Sequence, residues 1–403
     1  MNVTARRLAP LLAALAMLGP FSIDTFFPAF RVMEAHFAVT PAAMQQTISV
    51  YLAVYAVMAL FHGPLSDAYG RRRVILFFTA LFALASLGCA LAPSFGALLF
   101  FRGLQGVAAG AGLIVGRAII RDRFGGADAQ KLMSQVTLIF GIAPALAPVI
   151  GGWLLAYSGE WRPLFGFLAL FSLLVAVWSV WMLPETHGKA LRTPLRPKTL
   201  ARTYSSMLRD APFCWLSLAA SFNFGALFIY IASAPAFILD VLKLGEQDFA
   251  WLFVPAIGGM MVGAAISGRL AGRRNPEQMM RLCFRLAAGG VVTNLLVNLL
   301  LPVGVPWSVL PIVLLGMGVS LGFPTMSLMV IDRFPATRGA GSSLQTAISL
   351  LLMSAISGAL SPLVAHHPLG LALCSGLLSV LGYGCWRLAW RHLHNAGIAP
   401  VLV

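Results

Sequence analysis

Apolar residues in this chain fall in long unbroken runs rather than in stripes. Each run is about 20 residues long, which is what a helix needs to cross roughly 30 Å of hydrocarbon. An amphipathic surface helix would keep one polar face. A barrel strand would alternate apolar and polar positions over about ten residues. Neither pattern is present. The runs predict spans over 8–28, 47–66, 73–92, 95–119, 131–157, 162–183, 213–238, 250–271, 281–301, 308–330, 339–365 and 368–390. The expected fold class is all-α and integral to the membrane, with twelve transmembrane helices.

One long polar stretch interrupts this series. It carries Lys189, Arg192, Arg196, Lys198, Arg202 and Arg209, with Pro194, Pro197 and Pro212. It divides the chain into a six-helix bundle over 1–184, a linker over 185–212 and a second bundle over 213–403. The halves echo each other weakly. Gly70-Arg71-Arg72-Arg73 follows the second span and Gly272-Arg273-Arg274 follows the eighth, as a parallel repeat about the membrane normal would give. Asp67 of the first half aligns with Arg269 of the second.

Composition agrees. Of 403 residues 59% are hydrophobic and 10% charged, where a soluble domain carries about 25% charged residues. The net charge of +15 would suggest nucleic acid if it were spread evenly. It is not. With the N-terminus inside, 23 of the 28 Lys and Arg fall on the inner side. Only Arg31, Arg162 and Lys243 fall outside, while Arg102 and Arg117 lie within the fourth span. This bias places both termini in the cytoplasm and removes the case for a nucleic-acid partner. The five cysteines lie in or beside apolar runs without a CxxC pair, so they read as packing residues. His366 and His367 read as surface residues of an outer loop, and no metal site is expected. The first run follows Arg6 and Arg7, as in a signal peptide. Its length, its Asp24 and the many runs like it favour a span.

The sharpest motif is Gly63-Pro64-Leu65-Ser66-Asp67-Ala68-Tyr69-Gly70-Arg71-Arg72-Arg73. Two antiparallel helices joined by so few residues need a tight turn, hence Gly70. Asp67 needs a positive partner, either Arg117 or Arg121 or the N-terminal end of the eleventh span near Gly339 to Ser342. Asp24 is the one acid well inside a predicted span. It lies about 6 Å below the outer end of its span, and Arg102 about 10 Å below the outer end of its own. These depths suit a direct or water-mediated pair. Charges at such depth are costly and usually functional. Gln105 lies one turn from Arg102 on the same face. The alternative is a static buried ion pair joining two helices. On the fifth span, Gly141, Pro144, Pro148, Gly151 and Gly152 combine helix bending with close approach of a neighbour. Tyr51, Tyr55, Asn223, Tyr230 and Gln345, with Gln105, are candidates for a substrate cavity. No P-loop, HExxH or GxSxG motif occurs, so neither ATP hydrolysis of that kind nor another enzymatic activity is expected.

The motif around Asp67 resembles motif A of the major facilitator superfamily. Four further stretches are similar to the bicyclomycin/chloramphenicol-resistance (Bcr/CflA) branch of drug:proton antiporters. They are Asp24-Thr25-Phe26-Phe27-Pro28-Ala29, Arg102-Gly103-Leu104-Gln105-Gly106, Arg117-Ala118-Ile119-Ile120-Arg121-Asp122 and Pro184-Glu185-Thr186. In the second half Ala232-Ser233-Ala234-Pro235 is the best local match. The resemblance implies two six-helix bundles flanking a central cavity and proton coupling at Asp24 and Arg102. It implies conformational gating by Gly63, Asp67, Gly70, Arg71, Arg72, Arg117 and Arg121. The fifth span resembles the antiporter motif C, with Ala147 in place of a glycine, and so implies export. Ala16 stands where some relatives carry a second membrane acid. The expected activity is export of a drug-like compound from a bacterial inner membrane, driven by the proton gradient without a cofactor. The expected partners are small molecules, protons and lipids, and the expected state is a monomer. Export of a natural metabolite and proton-coupled uptake are the alternatives.

Overall fold

The computed structural model describes residues 5–395, and they are helical almost throughout. Twelve helices are long and apolar enough to cross a membrane. In order they are Leu8–Phe37, Pro41–Tyr69, Arg71–Ala90, Phe95–Arg123, Asp128–Ser158 and Arg162–Met182, then Ala211–Ala232, Ala250–Leu270, Pro276–Leu300, Pro311–Asp332, Arg338–Val364 and Pro368–His394. They are numbered here as spans one to twelve. Mid-span Phe77, Leu84 and Phe100 are 63–65% exposed. A water-soluble protein would bury them, and a lipid-facing surface would not.

Local chemistry sets the span starts. Thr40 caps span two by accepting from the Ala43 amide at 3.2 Å, with Pro41 at the first turn. Ser94 does the same for span four through Ala97 at 3.2 Å. Asp210 and Asn275 cap spans seven and nine at 2.8 Å each. Each side chain satisfies an amide that the first helical turn leaves open. Asp210 also accepts an ion pair of 2.5 Å from Arg333.

Span one differs from expectation. Its first helix ends at Asp24, a 3₁₀ turn covers Phe27–Ala29, and a second helix runs over Phe30–Phe37. Pro28 therefore opens a turn inside the span rather than closing it. The polar stretch after span six also differs, because it contains a helix over Pro197–Leu208. Tyr204 and Met207 on this helix are buried, and burial pushes the Tyr204 phenol up to about 12.

The chain divides into two compact units at Pro197 and Lys198, inside that stretch. In the first unit span one packs on spans four, five and six, span four on two and three, and span three on six. In the second unit span seven packs on ten, eleven and twelve, span ten on eight and nine, and span nine on twelve. The pairings correspond one for one. The turns after spans two and eight also match, since Gly70 (φ 102°) and Gly272 (φ 72°) both take conformations that side chains resist.

Candidate functional site

Arg102 is fully buried in span four. Its Nε donates to the Thr47 carbonyl at 3.0 Å. Its Nη1 donates to the Ser22 carbonyl and hydroxyl, both at 2.8 Å, and to Gln105 Oε1 at 2.6 Å. Gln105 in turn donates to Ser86 at 2.8 Å. The rings of Phe26 and Tyr51 lie over the guanidinium at 4.7 and 4.5 Å. The Tyr51 hydroxyl donates to the Gly19 carbonyl at 3.2 Å. One cation thus joins spans one, two and four directly, and reaches span three through Gln105. Carbonyl dipoles and two aromatic faces stabilise its charge without an acid. Only Nη2 has no partner.

Asp24 and Arg102, expected to pair directly or through water, form no direct ion pair. Asp24 is 4% exposed and forms no ion pair among the described residues. The reason is local. The helix stops at Asp24, and the turn that follows lays Phe26 over the guanidinium, whose remaining donors are mostly taken. Asp24 ends a helix whose C-terminal carbonyls offer it no positive partner. A buried carboxyl so placed carries a costly charge.

Span five closes on this break. A methyl group at Gly151 would lie 1.8 Å from the carbonyl oxygen of Thr25, the residue after Asp24. Glycine is therefore required by backbone contact rather than by flexibility. Gly152 and Pro148 are buried and Pro144 half-buried beside it. Gly141 meets nothing within 4 Å of such a methyl. Gly151→Ala is expected to destabilise the protein by about 1–3 kcal/mol or more, as overpacking does. Gly141→Ala should stay within about 0.5 kcal/mol of wild type. Thermal melts of the two purified variants in detergent check this, and equal melting temperatures would sink the packing argument.

The motif around Asp67 forms a second cluster. Arg71 is buried and pairs with Asp67, with Ser66 and, at 3.1 Å, with Asp122. Its amide donates to Glu185 at 2.9 Å. Thr186 donates to Asp122 at 2.9 Å, and Arg72 to the Val180 carbonyl at 2.6 Å. A methyl at Gly70 would strike Glu185 and Arg192. Three separate sequence motifs thus meet on one arginine. Within its own unit Asp67 pairs with Arg71, not with the expected Arg117 or Arg121, which make no ion pair among the described residues. Both of these arginines are exposed. Gly63 has open space beside it.

The cavity candidates sit inside their own units. Tyr51, Tyr55 and Gln105 are buried in the first. In the second, the Tyr230 hydroxyl accepts from Asn294 at 2.6 Å, Gln345 donates to Ser327 at 2.9 Å, and buried Asn223 faces Cys283 at 3.8 Å. Tyr51 and Gln105 belong to the Arg102 network, the first through its ring and the second through a hydrogen bond. Sequence reasoning missed Ser22, Thr47 and Ser86, whose only signal is a small polar residue in an apolar run. It also missed buried His62, which bonds the Val107 carbonyl at 3.0 Å, and Asn294, which the spacing Asn294–Asn298 signals on span nine.

The family model of the Major Facilitator Superfamily matches residues 12–362. The chain belongs to this superfamily. It is 32% identical to the MFS-type transporter YdgK of Bacillus subtilis (strain 168) over 355 residues, which cover 87% of each chain. It is 30% identical over 275 residues to a bicyclomycin resistance protein homolog of Haemophilus influenzae, covering 68% of this chain and 69% of that one. Among solved structures, a bacterial homolog of the human lysosomal transporter Spinster, inward-facing and unoccupied, superposes with a TM-score of 0.72 at 14% identity over 97% of each chain. That likeness shows the fold. The protein is thus a multi-pass membrane transporter of the major facilitator fold, and not an enzyme.

Proposed function

We propose that this transporter exports drug-like molecules across a bacterial inner membrane in exchange for protons. The observation that carries this reading is the position of Asp24. It is a buried carboxyl at a helix break, one residue from the carbonyl on which span five closes. A proton gained or lost there changes the charge at a joint between spans one and five, and the two joined helices give that change a mechanical outlet. Outward-facing Asp24 takes a proton, the protein turns inward, and arriving substrate displaces the proton to the cytoplasm. Both termini are cytoplasmic in this scheme, as the basic residues require. The name of the Haemophilus influenzae relative supports an antibiotic-like cargo.

The test uses everted vesicles energised by respiration and a pH-sensitive dye. A panel of antibiotics that includes bicyclomycin is added compound by compound. At least one should discharge the proton gradient in vesicles holding the protein and not in empty ones, and should lose potency against a pump-deficient host expressing it. Drug resistance without proton movement would remove antiport. Proton movement with no resistance across the panel would remove the drug as cargo.

A further inference from the structure

Within the second unit, spans nine and twelve leave a groove of about 880 Å³ between them. Their counterparts in the first unit, spans three and six, pack together more extensively. The fold itself therefore does not demand the gap. Span nine contributes Phe284, Arg285 and Val291 to it, and span twelve Ser379, Tyr383 and Arg387. Exposed apolar neighbours such as Val292 and Val380 show that it opens on the lipid-facing surface.

The charges in the groove are unbalanced. Arg281 at its rim is neutralised by Glu277 at 2.8 Å. Arg285 is exposed and forms no ion pair among the described residues. Arg387 folds back along span twelve, donating to the Tyr383 hydroxyl at 3.2 Å and lying 5.9 Å over its ring. Two cations thus face one apolar channel. Trp390 stands at the same end, where interfacial aromatics sit at headgroup level.

A second observation lies deeper. Ser379 is 8% exposed, and its hydroxyl is buried without a partner. Ser86 and Ser179 return their hydroxyl to the carbonyl one turn back at 2.7 Å, whereas Ser379, like Ser217 of span seven, has no partner. What distinguishes Ser379 is that it also lines the groove, so its hydroxyl is left to donate there. It lies one turn beyond Tyr383, about 6 Å farther from the basic end.

We propose that this groove is a binding site for an anionic phospholipid of the leaflet at the basic end of spans nine and twelve. Arg285 and Arg387 hold the phosphodiester. Ser379 donates to an acyl ester carbonyl about one helical turn deeper. An acyl chain lies along Val291, Val292 and Val380. A zwitterionic lipid carries the same phosphodiester, but its own cation would stand beside two arginines, so the site selects negative headgroups.

The experiment is native mass spectrometry of the full-length protein in detergent, titrated with phosphatidylglycerol or with phosphatidylcholine of the same acyl chains. Phosphatidylglycerol should bind more tightly. Substituting Arg285→Gln and Arg387→Gln should weaken it roughly fivefold for each arginine removed. The exposed pair Arg273→Gln and Arg274→Gln, which removes equal charge outside the groove, should change nothing. Ser379→Ala should weaken the ester-linked lipid and leave an ether-linked analogue unaffected. Equal binding of the two headgroups by wild type overturns the proposal without any variant. So does an equal loss in the Arg273 and Arg274 variant, which would mean diffuse attraction. Displacement of the lipid by soluble glycerol phosphate at matched concentration would mean a headgroup-only anion site, and overturns it as well.

Discussion

Asp24→Asn is expected to abolish proton-driven export while leaving the protein as stable as wild type. Asparagine keeps the shape of the side chain and removes its titratable charge. Stability should hold because Asp24 has no cation to abandon. If the carboxylate were paired with Arg102, its removal would leave a buried charge unmatched and cost several kcal/mol. The guanidinium instead rests on Ser22, Thr47 and Gln105, and none of these contacts involves Asp24. Two measurements are needed on one preparation. The melting temperature in detergent should match wild type, and substrate-induced proton release should vanish. Proton release that survives in Asp24→Asn would place coupling elsewhere. A collapse in melting temperature would mean that the carboxylate does hold the fold.

Arg102→Ala should behave in the opposite way and fail first as a structure. It removes four hydrogen bonds, leaves Gln105 Oε1 with only the Ser22 hydroxyl at 3.4 Å, and empties the space between two rings. The expected cost is at least about 3 kcal/mol, because hydrogen bonds to charged groups are worth about 1.5–3 kcal/mol each and the polar groups left behind stay buried. Arg102→Lys should recover only part. An ammonium keeps the charge but not the planar fork that reaches Thr47 and Ser22 together while stacking on Phe26 and Tyr51. Melting temperatures in the order wild type, Lys, Ala are expected. An Arg102→Ala variant that melts like wild type yet loses transport would make Arg102 a coupling group rather than a brace.

The twelve spans were legible because hydropathy acts over 20 residues and tolerates local errors. What was lost lies at span ends and between distant segments. The apolar pattern ends span one at Pro28 because Arg31, Glu34 and His36 dilute the signal that follows. Phe30, Met33 and Phe37 are nevertheless spaced as one helical face, and Phe30 and Met33 are buried. The helix over Pro197–Leu208 was hidden in the same way among basic residues, although Leu200, Tyr204 and Met207 keep a helical period. The motifs around Asp67, Asp122 and Glu185 could each be named, but not their meeting on Arg71, which is a tertiary fact spanning up to 114 residues. Opposite charge and similar depth suggest the pairing of Asp24 with Arg102. Sequence does not display backbone carbonyls, and two of these, with the Ser22 hydroxyl, Gln105 and two rings, hold this guanidinium without an acid.

The close approach of Gly151 to Thr25 is one of several. Methyl groups at Gly106, Gly112, Gly259 and Gly263 would likewise lie within 2.4 Å of a carbonyl oxygen on a neighbouring span. Helices at such joints touch main chain to main chain, through Cα–H groups facing carbonyl oxygens. Such a fastening takes nothing from the chemical character of the surrounding side chains. The scaffold can then stay constant while the residues that meet cargo drift, so selection for a new compound need not be repaired by changes in the frame. A transporter joined in this way is built to be respecialised.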